Sequence, residues 1–155
     1  MTEIERKFLV KSDAFKSDSY QNTRIVQGFL NTHPERTVRV RINGEQAFLT
    51  VKGKSSENGL SRFEWEKEIE VEDAENLLKL CEPGSIEKDR YLVEIGNNIF
   101  EVDEFHGQNQ GLIIAEIELN AEEDTFSKPL WLGEEVTGDI RYYNSQLSKK
   151  PYLNW

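Results

Sequence analysis

The chain holds one cysteine, Cys81, so no disulfide can form within it. Cys81 sits in the apolar run Leu77-Leu78-Lys79-Leu80-Cys81, where a thiol behaves as a small buried hydrophobe rather than a nucleophile. Two histidines, His33 beside Pro34 and His106 beside Gly107, fall in expected turns without an accompanying ligand spacing, which makes thiol-protease and zinc-site readings poor. No stretch approaches the roughly 20 apolar residues of a membrane span, and the first ten residues lack a signal-peptide core. A cytoplasmic location is the expectation. Bases are outnumbered, 19 Lys and Arg against 29 Asp and Glu, and the net charge of −10 argues against nucleic acid or an anionic membrane as partner. A phosphate ligand stays open, because bases can line a pocket while surplus acid sits outside. Low-complexity linkers, composition breaks and long repeats are also missing, so residues 1–155 read as one domain, long enough for a sizeable core.

What the chain has is a small pattern, repeated along its length: charged residues spaced two apart with apolar residues between them. It occurs at Glu3/Glu5/Lys7, Arg39/Arg41, Arg62/Glu64/Glu66, Lys88/Arg90, Glu101/Asp103 and Glu116/Glu118, with Lys52 following Thr50 in the same phase. In a β-strand, residues i and i+2 share a face, so each group projects its charges together and its apolar neighbours the other way. Any half-exposed antiparallel strand shows such alternation. The signs, however, segregate: basic at 39/41 and 88/90, acidic at 101/103 and 116/118. Like charges on one face repel, a cost that ligands of opposite charge would offset.

Strands are expected at 2–10, 23–31, 36–43, 45–53, 61–71, 86–95, 98–105 and 111–119, with hairpin turns at Asn43-Gly44 and Asn97-Asn98. Residues 54–59 read as a polar loop. Asp73 is the expected cap of a helix over 74–81 that Pro83-Gly84 stops. Asn120 with Glu123 resembles a capping box for a second helix ending near Lys128-Pro129, and Asp139 is the expected cap of a third through Leu147. About eight strands with three peripheral helices suggest an α+β fold built on an antiparallel barrel.

Glu3-x-Glu5-x-Lys7 resembles the ExExK signature of the CYTH superfamily, the triphosphate tunnel metalloenzymes. The likeness continues in order through Arg39/Arg41, Leu49-Thr50-Val51-Lys52, Arg62-x-Glu64-x-Glu66, Lys88-x-Arg90, Phe100-Glu101-Val102-Asp103 and Ala115-Glu116-Ile117-Glu118. Residues 134–142 are similar to the end of the short bacterial, single-domain members. The resemblance implies an eight-stranded antiparallel β-barrel, or tunnel, with a charged interior and peripheral short helices. It implies Glu3, Glu5, Asp103, Glu116 and Glu118 as metal-binding residues, with Mg2+ as the cofactor and Mn2+ able to substitute. It implies Lys7, Arg39, Arg41, Lys52, Arg62, Lys88 and Arg90 as the phosphate-binding set. Glu64 and Glu66 could orient the attacking water, bind a second metal or hold the bases; Glu68, Glu70 and Glu101 read equally well as ordinary strand-end or solvated charges. Similar bacterial members often carry a Tyr, assigned a proton-accepting role, where this chain has Phe29, which has no hydroxyl and is expected to pack.

The function so implied is a metal-dependent hydrolase splitting inorganic tripolyphosphate into orthophosphate and pyrophosphate, with thiamine triphosphate a near neighbour by chemistry. A class IV-type adenylate cyclase and a non-catalytic polyphosphate or nucleotide binder are the alternatives. Trp65, Phe105 and Trp131 could stack on a base, though packing is their ordinary role. The expected partner is a small triphosphate, and the chain is read as a monomer or a homodimer whose interface no residue identifies.

Overall fold

The alternation along the charged segments decides which side of each strand faces inward. The computed structural model describes residues 2–155. Its strands are β1 (Thr2–Val10), β2 (Gln21–Asn31), β3 (Arg36–Asn43), β4 (Gln46–Ser55), β5 (Ser61–Ile69), β6 (Ile86–Ile95), β7 (Asn98–Phe105), β8 (Ile113–Glu118) and β9 (Leu132–Glu135). They form one antiparallel sheet in the order β5-β4-β3-β2-β6-β7-β8-β1-β9, and a further pairing of β1 with β5 closes eight of them into a barrel. One edge of β1 is shared: Thr2 to Ile4 pair with β5, while Phe8 and Val10 pair with β9. The ninth strand has no place in the sequence expectation, because its four residues are too short to show a period.

The eight expected barrel strands all form, with ends that move by up to two residues. The two hairpin turns sit one residue away from where the sequence placed them. Asn43 pairs with Gln46 across Gly44-Glu45, and Ile95 pairs with Asn98 across Gly96-Asn97. In each, a glycine with φ near +60° takes the first central position, and no non-glycine residue described has a positive φ, as in a type II′ turn.

Of the three expected helices, one forms largely as read. Helix α2 (Val71–Leu78) follows a first short helix, α1 (Phe15–Asp18), and starts three residues before the expected 74. Extended Glu70, not Asp73, is its N-cap residue. The reason is packing: Val71, Ala74, Leu77 and Leu78 lie on one face and pack with Val40, Ala47, Ile42 and Leu49 outside β3 and β4. Residues 120–129 form no helix. The Asp124 carboxylate accepts from the Asn120 and Ala121 amides at 3.1 and 3.0 Å, which closes a turn instead of a capping box. Phe126 then inserts edge-on between Phe8 and Phe100. Asp139 does cap, accepting from the Arg141 amide, but only for a 3-10 turn over Ile140–Tyr142. Extended Tyr143 breaks the run before α3 (Asn144–Leu147).

Three apolar clusters hold the barrel, and none is the usual oil-filled centre. The first lies outside β1, β6, β7 and β8, where Phe8, Val93, Phe100, Val102, Ala115 and Ile117 pack with Phe15 and Trp131. The second is the α2 face. The third stoppers one end of the barrel: Phe29, Ile86, Phe105 and Ile114 continue the inward rows of their strands and meet Tyr142 and Leu147 of the C-terminal tail. Phe100 is completely buried in the first cluster. Phe100→Ala should therefore lower the unfolding free energy by about 3–5 kcal/mol, read from the denaturant midpoint at constant slope. A loss under about 1 kcal/mol would show that the outer cluster is not what holds the wall.

Candidate active site

The inward rows of the strands line an internal cavity of about 220 Å3. Glu3, Glu5, Lys7, Arg39, Arg41, Lys52, Arg62, Glu64, Glu66, Lys88, Arg90, Glu116 and Glu118 all reach it. Of the residues named as metal-binding, phosphate-binding or water-orienting, only Asp103 does not line the cavity; it is buried against Lys88 and Arg90, which do. Glu101, left undecided by the sequence, lines the cavity as well, whereas Glu68 and Glu70 do not. Among the described residues, seven carboxylates and seven cations thus face one another, so the surplus behind the net charge of −10 lies elsewhere on the chain.

Barrel closure sorts these charges into two arcs. Strands β4, β3, β2 and β6 are consecutive and supply Lys52, Arg39, Arg41, Lys88 and Arg90. Strands β7, β8, β1 and β5 are consecutive across the closure and supply the carboxylates, with Lys7 and Arg62 among them. Within the acidic arc the register sets Glu5 opposite Glu118 and Glu101 opposite Glu116, placements that repel without a cation.

Some charges already pair. Lys52 Nζ lies 3.0 Å from Glu3 and 3.4 Å from Glu64. Glu66 accepts from the Thr50 hydroxyl at 2.7 Å and from Arg39 at 3.4 Å. Asp103, 1% exposed, is saturated: Arg90 grips both its oxygens at 2.8 and 2.9 Å, and Lys88 Nζ sits 2.8 Å away. Burial alone would raise the Asp103 pKa, but Arg90 and Lys88 hold it far below the usual range.

Others are left short. Burial, reinforced by Glu116, pushes the Glu5 carboxyl well above its ordinary pKa, and burial raises Glu3 and Glu118 too. Burial would raise Glu116 also, but Lys7 and a hydrogen bond with Glu5 hold its pKa low, so the two carboxyls are pushed in opposite directions. On the other arc the Nε donors of Arg39 and Arg41 are buried without partners. Burial and the neighbouring guanidinium lower the Arg41 pKa to about 9; an arginine nonetheless keeps its proton, and its one carboxylate contact, Glu66, lies 4.0 Å away and is shared with Arg39.

The cavity has an open and a closed end. Side chains of Glu101, Glu66 and Glu64 are 42%, 33% and 26% exposed, while Lys7 and Lys88 are 9% and 2% exposed. Phe29 lines the closed end and packs, as expected. Trp131 and Phe105 are buried in apolar clusters, and Trp65 lies on the outer face of β5, so none of the three reaches the cavity.

A second group of potential metal ligands, unseen in the sequence, lies on the outside of β6 and β7. Asp89 pairs with Glu104 across the strands, and their oxygens lie with a His106 nitrogen within 4.8 Å of one another. Arg24 and Lys16 already sit on these carboxylates, at 3.5 and 3.1 Å. No described helix is long and apolar enough to cross a membrane.

The CYTH domain profile matches residues 1–151. The chain belongs to the CYTH domain family. It is 49% identical over 154 residues to an inorganic triphosphatase of Acetivibrio thermocellus, covering 99% of this chain and 97% of that protein. It is 40% identical over 152 residues to an inorganic triphosphatase of Nitrosomonas europaea, covering 96% and 97%. The crystal structure of the inorganic triphosphatase NE1496 matches with a TM-score of 0.67 at 35% identity, over 94% of this chain and 97% of that one. A Hippeastrum protein, a candidate adenylyl cyclase that reveals a dominant triphosphatase activity, shares the fold, with a TM-score of 0.62 at 15% identity over 78% and 81%. CYTH tunnel enzymes are metal-dependent, and the oxygen-only carboxylates of the acidic arc, short of positive charge, fit a hard divalent cation.

One titration follows from the closed end. Burial lowers the Lys88 pKa to about 8 against the pull of Asp103. Below that pH the side chain is a buried ammonium; above it the charge is lost. Activity at limiting tripolyphosphate should thus fall as pH rises through about 8, and Lys88→Arg, which stays charged, should move that limb upward. A profile flat to pH 9.5, or a limb unmoved in Lys88→Arg, would contradict the assignment.

Proposed function

We propose that this CYTH protein is a metal-dependent inorganic triphosphatase that hydrolyses tripolyphosphate to orthophosphate and pyrophosphate. The observation that carries this reading is the pair of opposed arcs in one small cavity. Cations with unmatched donors face carboxylates short of positive charge, and a polyanion bound with a divalent metal completes both at once. The two related triphosphatases, similar over nearly their whole length, support the same activity.

Phosphoryl transfer asks the protein for alignment and charge stabilisation more than for covalent help. Arg39, Arg41, Lys52 and Arg90 bind the phosphate oxygens, and Arg39 and Arg41 use the donors that lack partners. Lys7 and Lys88 receive the terminal phosphoryl group at the closed end. A water oxygen bonds to the terminal phosphorus as the P–O–P bond breaks, its protons passing to the products or solvent, and the arginines stabilise the charge that develops on departing pyrophosphate. Glu3, Glu5, Glu116 and Glu118 hold the metal, Mg2+ or in its place Mn2+. When bound, it supplies Lewis-acid neutralisation of phosphate charge. The contacts of Glu66 with Thr50 and Arg39, and of Glu64 with Lys52, favour a role in holding the bases over water orientation or a second metal. Asp103, its oxygens already occupied by Arg90 and Lys88, serves better as their anchor than as the metal ligand that resemblance implied.

A cavity of about 220 Å3 falls below the roughly 300–1,000 Å3 of drug-sized clefts and presents no tryptophan or tyrosine near its open end. That favours inorganic tripolyphosphate over ATP, and hydrolysis over cyclisation.

Supplied with tripolyphosphate, thiamine triphosphate or ATP and Mg2+ or Mn2+, the protein should release orthophosphate fastest from tripolyphosphate, and EDTA should stop it. Pyrophosphate with cyclic AMP would mean a cyclase; tight binding without turnover would mean a binder. Among variants, Glu116→Gln should lower kcat roughly 10–100-fold with little change in melting temperature. Arg39→Ala should chiefly raise KM, about tenfold or more for the loss of a charge-assisted contact. Unchanged kinetics in both would remove these roles.

A further inference from the structure

The C-terminal tail does more than stopper the barrel. After the 3-10 turn at Ile140–Tyr142, Tyr143 adopts an extended backbone, φ −69° and ψ 133°, which swings its own side chain and that of Asn144 into the cavity. The flanks are fixed: Tyr142 and Leu147 pack in the apolar cluster, and the Gln146 amide donates to the Thr32 carbonyl at 3.0 Å.

The two inserted side chains meet three cations of the site. Lys7 Nζ lies 4.9 Å from the centre of the Tyr143 ring, and the Arg62 guanidinium lies 5.6 Å from it. The Tyr143 hydroxyl is 3.1 Å from Ser55 Oγ, which ties the ring to β4. The Asn144 carbonyl oxygen accepts from Lys88 Nζ at 2.9 Å and from Gln27 Nε2 at 3.0 Å. Lys7 has few other anchors: its nearest carboxylate, Glu116, is 3.9 Å away, and the Tyr142 carbonyl is at 3.5 Å.

Resting on the triphosphatase reading, we propose that Tyr143 and Asn144 are positioning residues, delivered as one unit by the tail, that hold Lys7 and Lys88 aimed at the bound triphosphate; Arg62 is anchored separately, donating to the Gly53 and Pro34 carbonyls at 2.9 and 3.1 Å. Lysine carries its charge on a flexible stem, so a cation already held in place loses less freedom when substrate arrives. A neutral ring face at Lys7, and a neutral amide at Lys88 beside its Asp103 contact, do this without adding a further carboxylate to compete for the cation. They steady the charge and leave it available to phosphate.

The test measures KM and kcat for tripolyphosphate, together with melting temperature, in Tyr143→Leu, Tyr143→Phe and Asn144→Leu. Tyr143→Leu and Asn144→Leu should each raise KM about tenfold, with a smaller change in kcat. Tyr143→Phe, which keeps the ring and loses only the Ser55 contact, should recover most of the lost affinity. If one leucine variant fails to fold, the other decides. The proposal is overturned if the folded leucine variants keep KM within about twofold of wild type, or if Tyr143→Phe is as impaired as Tyr143→Leu. Wild-type protein that neither binds nor splits tripolyphosphate would overturn the functional reading itself, a result distinct from active wild type with indifferent variants.

Discussion

Opposite charges held on facing walls of a closed barrel are the constraint around which this protein is built. An interior of that kind supplies little hydrophobic stabilisation, and each ion placed there loses its water. The apolar contacts have accordingly moved outward, to the cluster around Phe100 and Trp131 and to the face under α2, and downward, to the stopper of Phe29, Ile86, Phe105 and Ile114. The wall is stabilised from behind so that its inner surface can remain polar.

The internal ion pairs compensate this arrangement unevenly. Asp103 is saturated by Arg90 and Lys88, and Lys52 is held between Glu3 and Glu64. Glu5 and Glu118, by contrast, face each other across β1 and β8, and Arg39 and Arg41 keep buried donors without acceptors. Complete internal pairing would leave a ligand nothing to gain. The groups that remain unmatched are oxygen donors on one arc and nitrogen donors on the other, which is the complement of a metal–polyphosphate pair.

The wall chemistry was legible in the sequence because charges in a period of two mark the inner face of seven of the eight barrel strands, β2 being the exception. The sign of each group was legible too, and closure turned that linear segregation into two arcs. What escaped reading lacked either period or charge. β9 is four residues long. The segment at 120–129 carries an apparent capping box, yet Asp124 closes a turn there and Phe126 is drawn into the outer core. Tyr143 and Asn144 are neutral and lie in a tail that looked like one helix; only the break at Tyr143 brings them inside. Asp103 entered the metal-binding set by resemblance alone; its contacts with Arg90 and Lys88 come from the neighbouring strand β6, which no spacing along β7 reveals. The outer trio of Asp89, Glu104 and His106 forms by cross-strand pairing, which no spacing along one strand reveals.

Mutual completion of the two arcs is the central claim, and thermodynamic coupling measures it directly. The melting temperature would be followed with Mg2+ alone, with a non-hydrolysable imidotriphosphate alone, and with both at the same free concentrations. If the arcs are two halves of one site, the shift with both ligands exceeds the sum of the separate shifts, because each ligand neutralises the charge that opposes the other. Shifts that merely add after correction for complex formation in solution, or no shift at all, would contradict it.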